Sequence, residues 1–233
     1  MGSSSSRKTG ETVIVKPVET TEFPQDSKQS DVKMPKYTLI NFNVRGRGEV
    51  SRILFALAGV EYEDKRLPFD GDEWPKLKPQ MPFAQMPALK IDDTILCQAE
   101  AIEFFIARTY GFAGSGPMDE SRILMIGNCV NDTLAPLFRL HSLPEEETEA
   151  KASIHAEILK KYVDEQMPTY FRMLENMLIS MADVQIVGLY DWLGVTGIEL
   201  DMKDYPKLRA HKERITKEPR YAAWVEKRPK TRF

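Results

Sequence analysis

Two apolar four-residue runs, Ala88 to Ile91 and Thr94 to Cys97, are separated only by Asp92 and Asp93, which leaves this stretch little freedom. Short runs joined by such a polar pair read as neighbouring strands around a turn. A helical pattern from Gln98 to Tyr110 follows at once and closes at Gly111. Upstream, Tyr37, Leu39 and Phe42 stand among polar neighbours as a strand requires. A 3.6-period stretch then runs from Gly48 through Ile53, Leu54, Ala56 and Leu57 to Gly59, which stops it. A second short strand spans about Glu61 to Leu67, and an irregular stretch covers Pro68 to Pro87.

The order is βαβ and then ββα, that of a thioredoxin-like sheet. After Pro117 the strand signals cease, and long amphipathic stretches run from Met118 to Leu140 and from Pro144 to about Leu178. The predicted fold class is α/β plus all-α: a thioredoxin-like domain over 35–113, followed by an all-helical domain over 116–233. A chain of 233 residues with 42% hydrophobic content can fill two modest cores of this kind.

Residues 1–34 differ in composition. Met1 to Lys33 is rich in Ser, Thr, Glu and Lys and poor in large apolar residues, so it cannot build a packed core and reads as a disordered tail. Gly2 and Ser6 fit the N-myristoylation pattern, with Arg7 and Lys8 following as a basic pair. A Ser-rich free tail is the other reading. One acyl chain with two cations gives only reversible membrane attachment.

Several functions are excluded by what is missing. The net charge is -3 with both signs interspersed, so no basic face for nucleic acid forms. Apolar runs such as Ile53 to Val60 are too short to span a bilayer, and no secretory stretch opens the chain, which predicts a cytoplasmic protein. Cys97 and Cys129 lack metal-ligand spacing and the three histidines do not cluster, so no metal site is expected and both thiols read as reduced.

Four segments, Tyr37 to Glu49, Asp72 to Pro75, Met81 to Pro87 and Gln98 to Ile102, together resemble a sigma-class glutathione transferase. The ending from Ala223 to Phe233 is similar to the last helix and tail of that class, and the resemblance covers nearly all of Pro35 to Phe233. It implies glutathione as co-substrate, a small hydrophobic acceptor and a homodimer. In Met86–Pro87 the proline can hold a cis bond, which in the family leaves the preceding backbone to pair with the cysteinyl unit of glutathione. Gln98 and Ala99 open a helix, whose unpaired N–H groups and partial positive charge suit the γ-glutamyl carboxylate. The family has serine where Ala99 stands, and losing that hydroxyl costs on the order of 1 kcal/mol of binding. Arg47 resembles the site arginine at the first helix, Trp74 and Lys78 the pair that holds the glycyl end, and Gln85 a position often lysine or glutamine. Asp132 resembles the acid that reaches the glutathione of the neighbouring subunit.

The sharpest departure is Asn41, which falls where the class places the tyrosine that hydrogen-bonds the glutathione sulfur. An unassisted thiol has a pKa of about 8.5, so only a few per cent is thiolate at pH 7. Losing one preorganised donor of this kind costs about 10² to 10³ in rate. Tyr37 or Tyr110 could serve instead if the register differed, although Tyr37 stands about 13 Å from Asn41 along an extended strand. A second departure precedes Ser180 and Asp183, whose spacing is that of a capping box: the approach is roughly a dozen residues shorter than in the class. For the acceptor pocket the resemblance nominates Asn43, Val44 and residues near Leu134 to Leu140. Sigma-class relatives include detoxifying transferases, prostaglandin D isomerases and lens crystallins, so catalysis, glutathione binding without turnover and a structural role all stay open.

Overall fold

The computed structural model describes residues 35–69, 71–144, 146, 148–174, 179–195, 203 and 206–231, and Pro35–Phe233 forms one compact unit. The proposed tail, with Gly2 and Ser6, lies outside the described residues. The first half alternates strands and helices: β1 Tyr37–Phe42, α1 Glu49–Ala58, β2 Glu63–Leu67, α2 Glu73–Leu77, β3 Ala88–Ile91, β4 Thr94–Cys97 and α3 Ala99–Tyr110. The strands form one sheet in the order β2-β1-β3-β4, with β2 parallel and β3 antiparallel to β1, and β4 antiparallel to β3. This is the thioredoxin-like arrangement that the strand order predicts.

The sheet is covered on both faces. Tyr37 and Leu39 of β1 join Ile53, Leu54 and Phe55 of α1 and Ile102 and Ile106 of α3 in the large core. Ile40, one residue out of phase, turns to the other face with Leu67, Met81, Ala88 and Cys97, as strand alternation demands. Helix α1 stops where the sequence says it should: Gly59 takes φ 67°, and its N–H bonds the Ala56 carbonyl.

From Pro117 on, the described elements are all helical: α4 Pro117–Ser142, α5 Thr148–Ile158, a π-helical turn Leu159–Gln166, α6 Met167–Leu174, α7 Met181–Val195, α8 Pro206–Thr216 and α9 Pro219–Lys227. Helix α7 is the hub of this half, packing on α4 and α8 and reaching α1 and α3. Its start is fixed by the predicted cap: Asp183 Oδ2 accepts from the Ser180 N–H at 2.9 Å and from Ser180 Oγ at 2.8 Å. The same carboxylate holds His211 Nε2 at 3.0 Å and the Arg214 guanidinium, tying α8 to α7. Burial works against the Asp183 charge, yet the bonds from His211 and Ser180 and the Arg214 charge outweigh it and hold the carboxyl below its usual range.

Two expectations need correction. The stretch from Pro68 to Pro87 is not wholly irregular, since it holds α2 and a 3₁₀ turn over Lys78–Gln80. β2 begins at Glu63 rather than Glu61. The predicted helical stretch to Leu178 is described only to Leu174, so the shortened approach to Ser180 falls largely outside the described residues.

Candidate functional site

The sheet and α3 meet at a cleft of about 430 Å³, within the range of small-molecule sites. Its wall contains Arg47 before α1, Trp74 on α2, Lys78 just after it, Gln85, Met86 and Pro87 before β3, and Gln98 and Ala99 at the start of α3. Eight residues singled out from sequence thus share one hollow.

Each is held by local structure. The Met86–Pro87 peptide is cis. Trp74 meets Phe42 of β1 edge-on at 6.0 Å, and Phe42 in turn stacks on Phe69. Gln98 carries φ 73°, a left-handed value that L side chains adopt at some cost and that clusters at functional sites. Its Nε2 donates to Gln85 Oε1 at 3.1 Å, which joins the β3 approach to the head of α3. Arg47 stacks its guanidinium over the Phe138 ring at 5.3 Å and has no carboxylate partner among the described residues.

The charge of this wall is one-signed. Arg47 and Lys78 supply cations, and no carboxylate lines it among the described residues. The N-terminus of α3 adds unpaired N–H groups and partial positive charge. Such a wall suits a ligand with carboxylates at both ends.

The N-terminal domain family of glutathione S-transferases matches residues 37–108, and its C-terminal domain family matches 131–228. The chain belongs to the glutathione S-transferase family. It is 34% identical over 203 residues to the hematopoietic prostaglandin D synthase of Gallus gallus, covering 85% of this chain and 99% of that one. It is 33% identical to S-crystallin SL11 of Nototodarus sloanii over 218 residues, covering 86% of this chain and all of that one. The crystal structure of the glutathione S-transferase from Ascaris lumbricoides superposes with a TM-score of 0.70 at 30% identity, over 85% of this chain and all of that chain. Members of this family use glutathione as co-substrate, and the N-terminal domain is the part that binds it.

Asn41, at the position where the sequence resemblance places the class tyrosine, lies apart from the other nominated residues. Asn41 is 5% exposed and does not line the cleft. Its amide nitrogen lies 2.6 Å from the point that a Cβ on Gly48 would occupy, so the side chain is tucked beneath the head of α1. Tyr37 and Tyr110 do not replace it: their hydroxyls bond each other at 3.0 Å, and Tyr37 is 3% exposed in the core. No tyrosine, serine or cysteine lines the cleft among the described residues. Asp132 is exposed on α4 and stands off the cleft of its own chain.

Among the described residues of the acceptor nominations, Asn43, Val44 and the stretch from Leu134 to Leu140, Leu134 lines the cavity of about 40 Å³ between α1, α3, α4 and α7. Leu137 and Leu140 are buried core residues. Val44 instead serves through its carbonyl, which accepts from Arg52 Nη1 at 2.9 Å.

The same cavity shows what the sequence reading missed. Glu103, 4% exposed, accepts at Oε2 from Gln185 Nε2 at 2.7 Å. Burial pushes its pKa up to about 8, against the Gln185 bond and the Arg47 charge, so the acid is neutral at pH 7. A signal existed: Glu103 lies between Ile102 and Ile106 on the apolar side of α3, where a surface helix would carry no acid. The loop leading to α1 is also fastened from the far end of the chain. Arg228 Nη1 bonds Glu49 Oε1 at 2.9 Å and Asp191 Oδ2 at 3.1 Å, Trp224 Nε1 donates to Glu49 Oε1 at 2.9 Å, and Arg45 Nη1 pairs with Asp191 at 3.2 Å.

Proposed function

We propose that this chain is a sigma-type glutathione transferase or isomerase with weakened activity toward small hydrophobic electrophiles. The observation that carries the reading is the convergence of Arg47, Trp74, Lys78, Gln85, Met86, Pro87, Gln98 and Ala99 on one cleft that has no side-chain hydroxyl among the described residues. Lys78 and Trp74 hold the glycyl carboxylate, the cis Met86–Pro87 segment pairs with the cysteinyl backbone, and the head of α3 takes the γ-glutamyl carboxylate. The sulfur then lies without an activating hydroxyl, so only the few per cent of thiol ionised at neutral pH reacts. The protein acts as a cytoplasmic homodimer in which Asp132 of each subunit reaches the other's glutathione. Acylation of Gly2 would add reversible attachment to membranes.

A second reading, glutathione binding without turnover or a crystallin-type structural role, is favoured by one observation: Asn41 faces Gly48 instead of the cleft. Calorimetric titration with glutathione, paired with conjugation of a generic aryl halide by the native protein and Asn41→Tyr, separates the readings. Binding together with a rate raised about 10²-fold by the tyrosine supports a transferase that retains its cradle but lacks an activator. Binding with no turnover by either protein supports glutathione binding without turnover, and absence of binding discards both glutathione-dependent readings and leaves the structural role.

A further inference from the structure

Arg47 stands between Gly46 and Gly48, and Gly46 takes φ 48°, a left-handed value suited to glycine. A backbone so permissive does not fix the direction of the Arg47 side chain by itself. The direction depends on what holds the residues beside it. Arg52 Nη1 donates to the carbonyls of Val44 at 2.9 Å and Arg45 at 3.0 Å, and Arg45 Nη1 donates to Asp191 of α7 at 3.2 Å.

These holds belong to one line of alternating charge. Asp64 pairs with Arg52 at 3.0 Å, Arg52 with Glu49 at 3.1 Å and Glu49 with Arg228 at 2.9 Å. Arg228 then pairs with Asp191 at 3.1 Å, and Asp191 with Arg45. Arg228, just past the end of α9, is the middle link, because its Nη1 alone touches both Glu49 and Asp191. Two carboxylates that share one nitrogen repel each other once that charge is removed. The pairs are largely shielded from water, with the Glu49 side chain 4% exposed and that of Arg228 14%, so salt screens the repulsion little. Asp191 would draw Arg45 with it as it moves, and the loop that carries Arg47 would follow.

Resting on the glutathione-binding reading, we propose that Arg228 is a positioning residue for glutathione: it holds Glu49 and Asp191 together and thereby aims Arg47 into the cleft. Arg228 itself does not line that cleft. Arg220 provides the contrast within the same helix. Its Nη1 donates to the Leu57 carbonyl at 2.7 Å, which docks α9 on the far end of α1 without joining the charged line.

The test titrates glutathione into the full-length native protein, Arg47→Ala, Arg228→Gln, the double variant and Arg228→Lys, with Arg220→Ala as the control for docking of α9. Arg228→Gln is expected to weaken glutathione about 10-fold. Arg228→Lys should recover most of that loss, because one nitrogen makes both contacts and a point charge can replace it. The double variant should bind no more weakly than Arg47→Ala, since a residue that acts through Arg47 then has nothing left to aim. Arg220→Ala should lower the melting temperature yet keep glutathione affinity within about twofold. Losses that multiply to about 100-fold in the double variant overturn the proposal, as does native affinity in Arg228→Gln. An equal loss in Arg220→Ala also overturns it, because loosening α9 would then suffice. Should Arg228→Gln fail to fold, Asp191→Asn cuts the same line from α7 and is read in the same way. If the native protein binds no glutathione, the underlying reading fails with the assignment; native binding that is indifferent to Arg228 fails the assignment alone.

Discussion

Gln185 on α7 places its amide nitrogen 2.7 Å from Glu103 on α3, and both residues are nearly closed to water. In the unfolded chain Glu103 ionises near pH 4.3, whereas in the folded protein burial raises that value to about 8. The stability associated with the neutral acid is whole below about pH 4.3 and declines as pH climbs toward 8. Glu103→Gln should therefore gain on the native protein across this interval, by up to about 1.4 kcal/mol per pH unit. Urea unfolding at pH 5.5 and pH 8 measures it, and a stability difference independent of pH would show that Glu103 titrates normally.

Asp183 has the opposite sign. Its folded-state pKa lies below the unfolded value of about 3.9, so its contribution is present above that value and is lost as acid brings the pH down through the folded one. Asp183→Ala removes the acceptor shared by Ser180, His211 and Arg214 and should cost about 3 kcal/mol or more at pH 7. Denaturant unfolding at neutral pH would detect it, and the difference from the native protein should shrink as the pH falls below 4.

On the proposed function, Arg47 serves binding rather than folding. Its guanidinium stacks on Phe138 without a described carboxylate partner, a contact worth about 0.5 to 1 kcal/mol. Arg47→Ala should leave the melting temperature within a few degrees and weaken glutathione by about 10-fold or more, as expected for a lost bond to a charged group. Calorimetry at two salt concentrations checks this. An affinity unchanged by the substitution would place Arg47 outside the binding machinery.

Acylation of the tail makes a separate prediction. Gly2→Ala should shift the protein from membrane to supernatant on fractionation of cells expressing the full chain. Identical distributions of the two proteins would discard the lipid anchor.

Much of the sheet was legible because local signals agreed there: the Asp92–Asp93 turn, the alternation in β1 and the Gly59 stop all appear where the sequence places them. Helix α2 was not, since five residues containing Pro75 carry no readable period. The cleft was legible only through the combined resemblance, because no spacing by itself distinguishes Lys78 or Gln85 from ordinary surface residues. Asn41 marks the limit of that approach: the resemblance places it at the class tyrosine, but its packing against Gly48 depends on how α1 enters above the strand. Glu103 and Gln185 are 82 positions apart, a pairing that only the docking of α7 on α3 creates.

The fastening of Glu49 by Trp224 and Arg228 has a consequence for synthesis. Glu49 leaves the ribosome 175 residues before Trp224. At about 5 to 20 residues per second, roughly 10 to 35 s separate them. During that interval the nascent chain can pair β1 with its neighbours, while the loop carrying Arg47 still lacks the contacts that anchor it through Glu49. Ligand recognition by this protein therefore matures late, and a chain stalled after α8 would hold a formed sheet beside an unfinished binding loop.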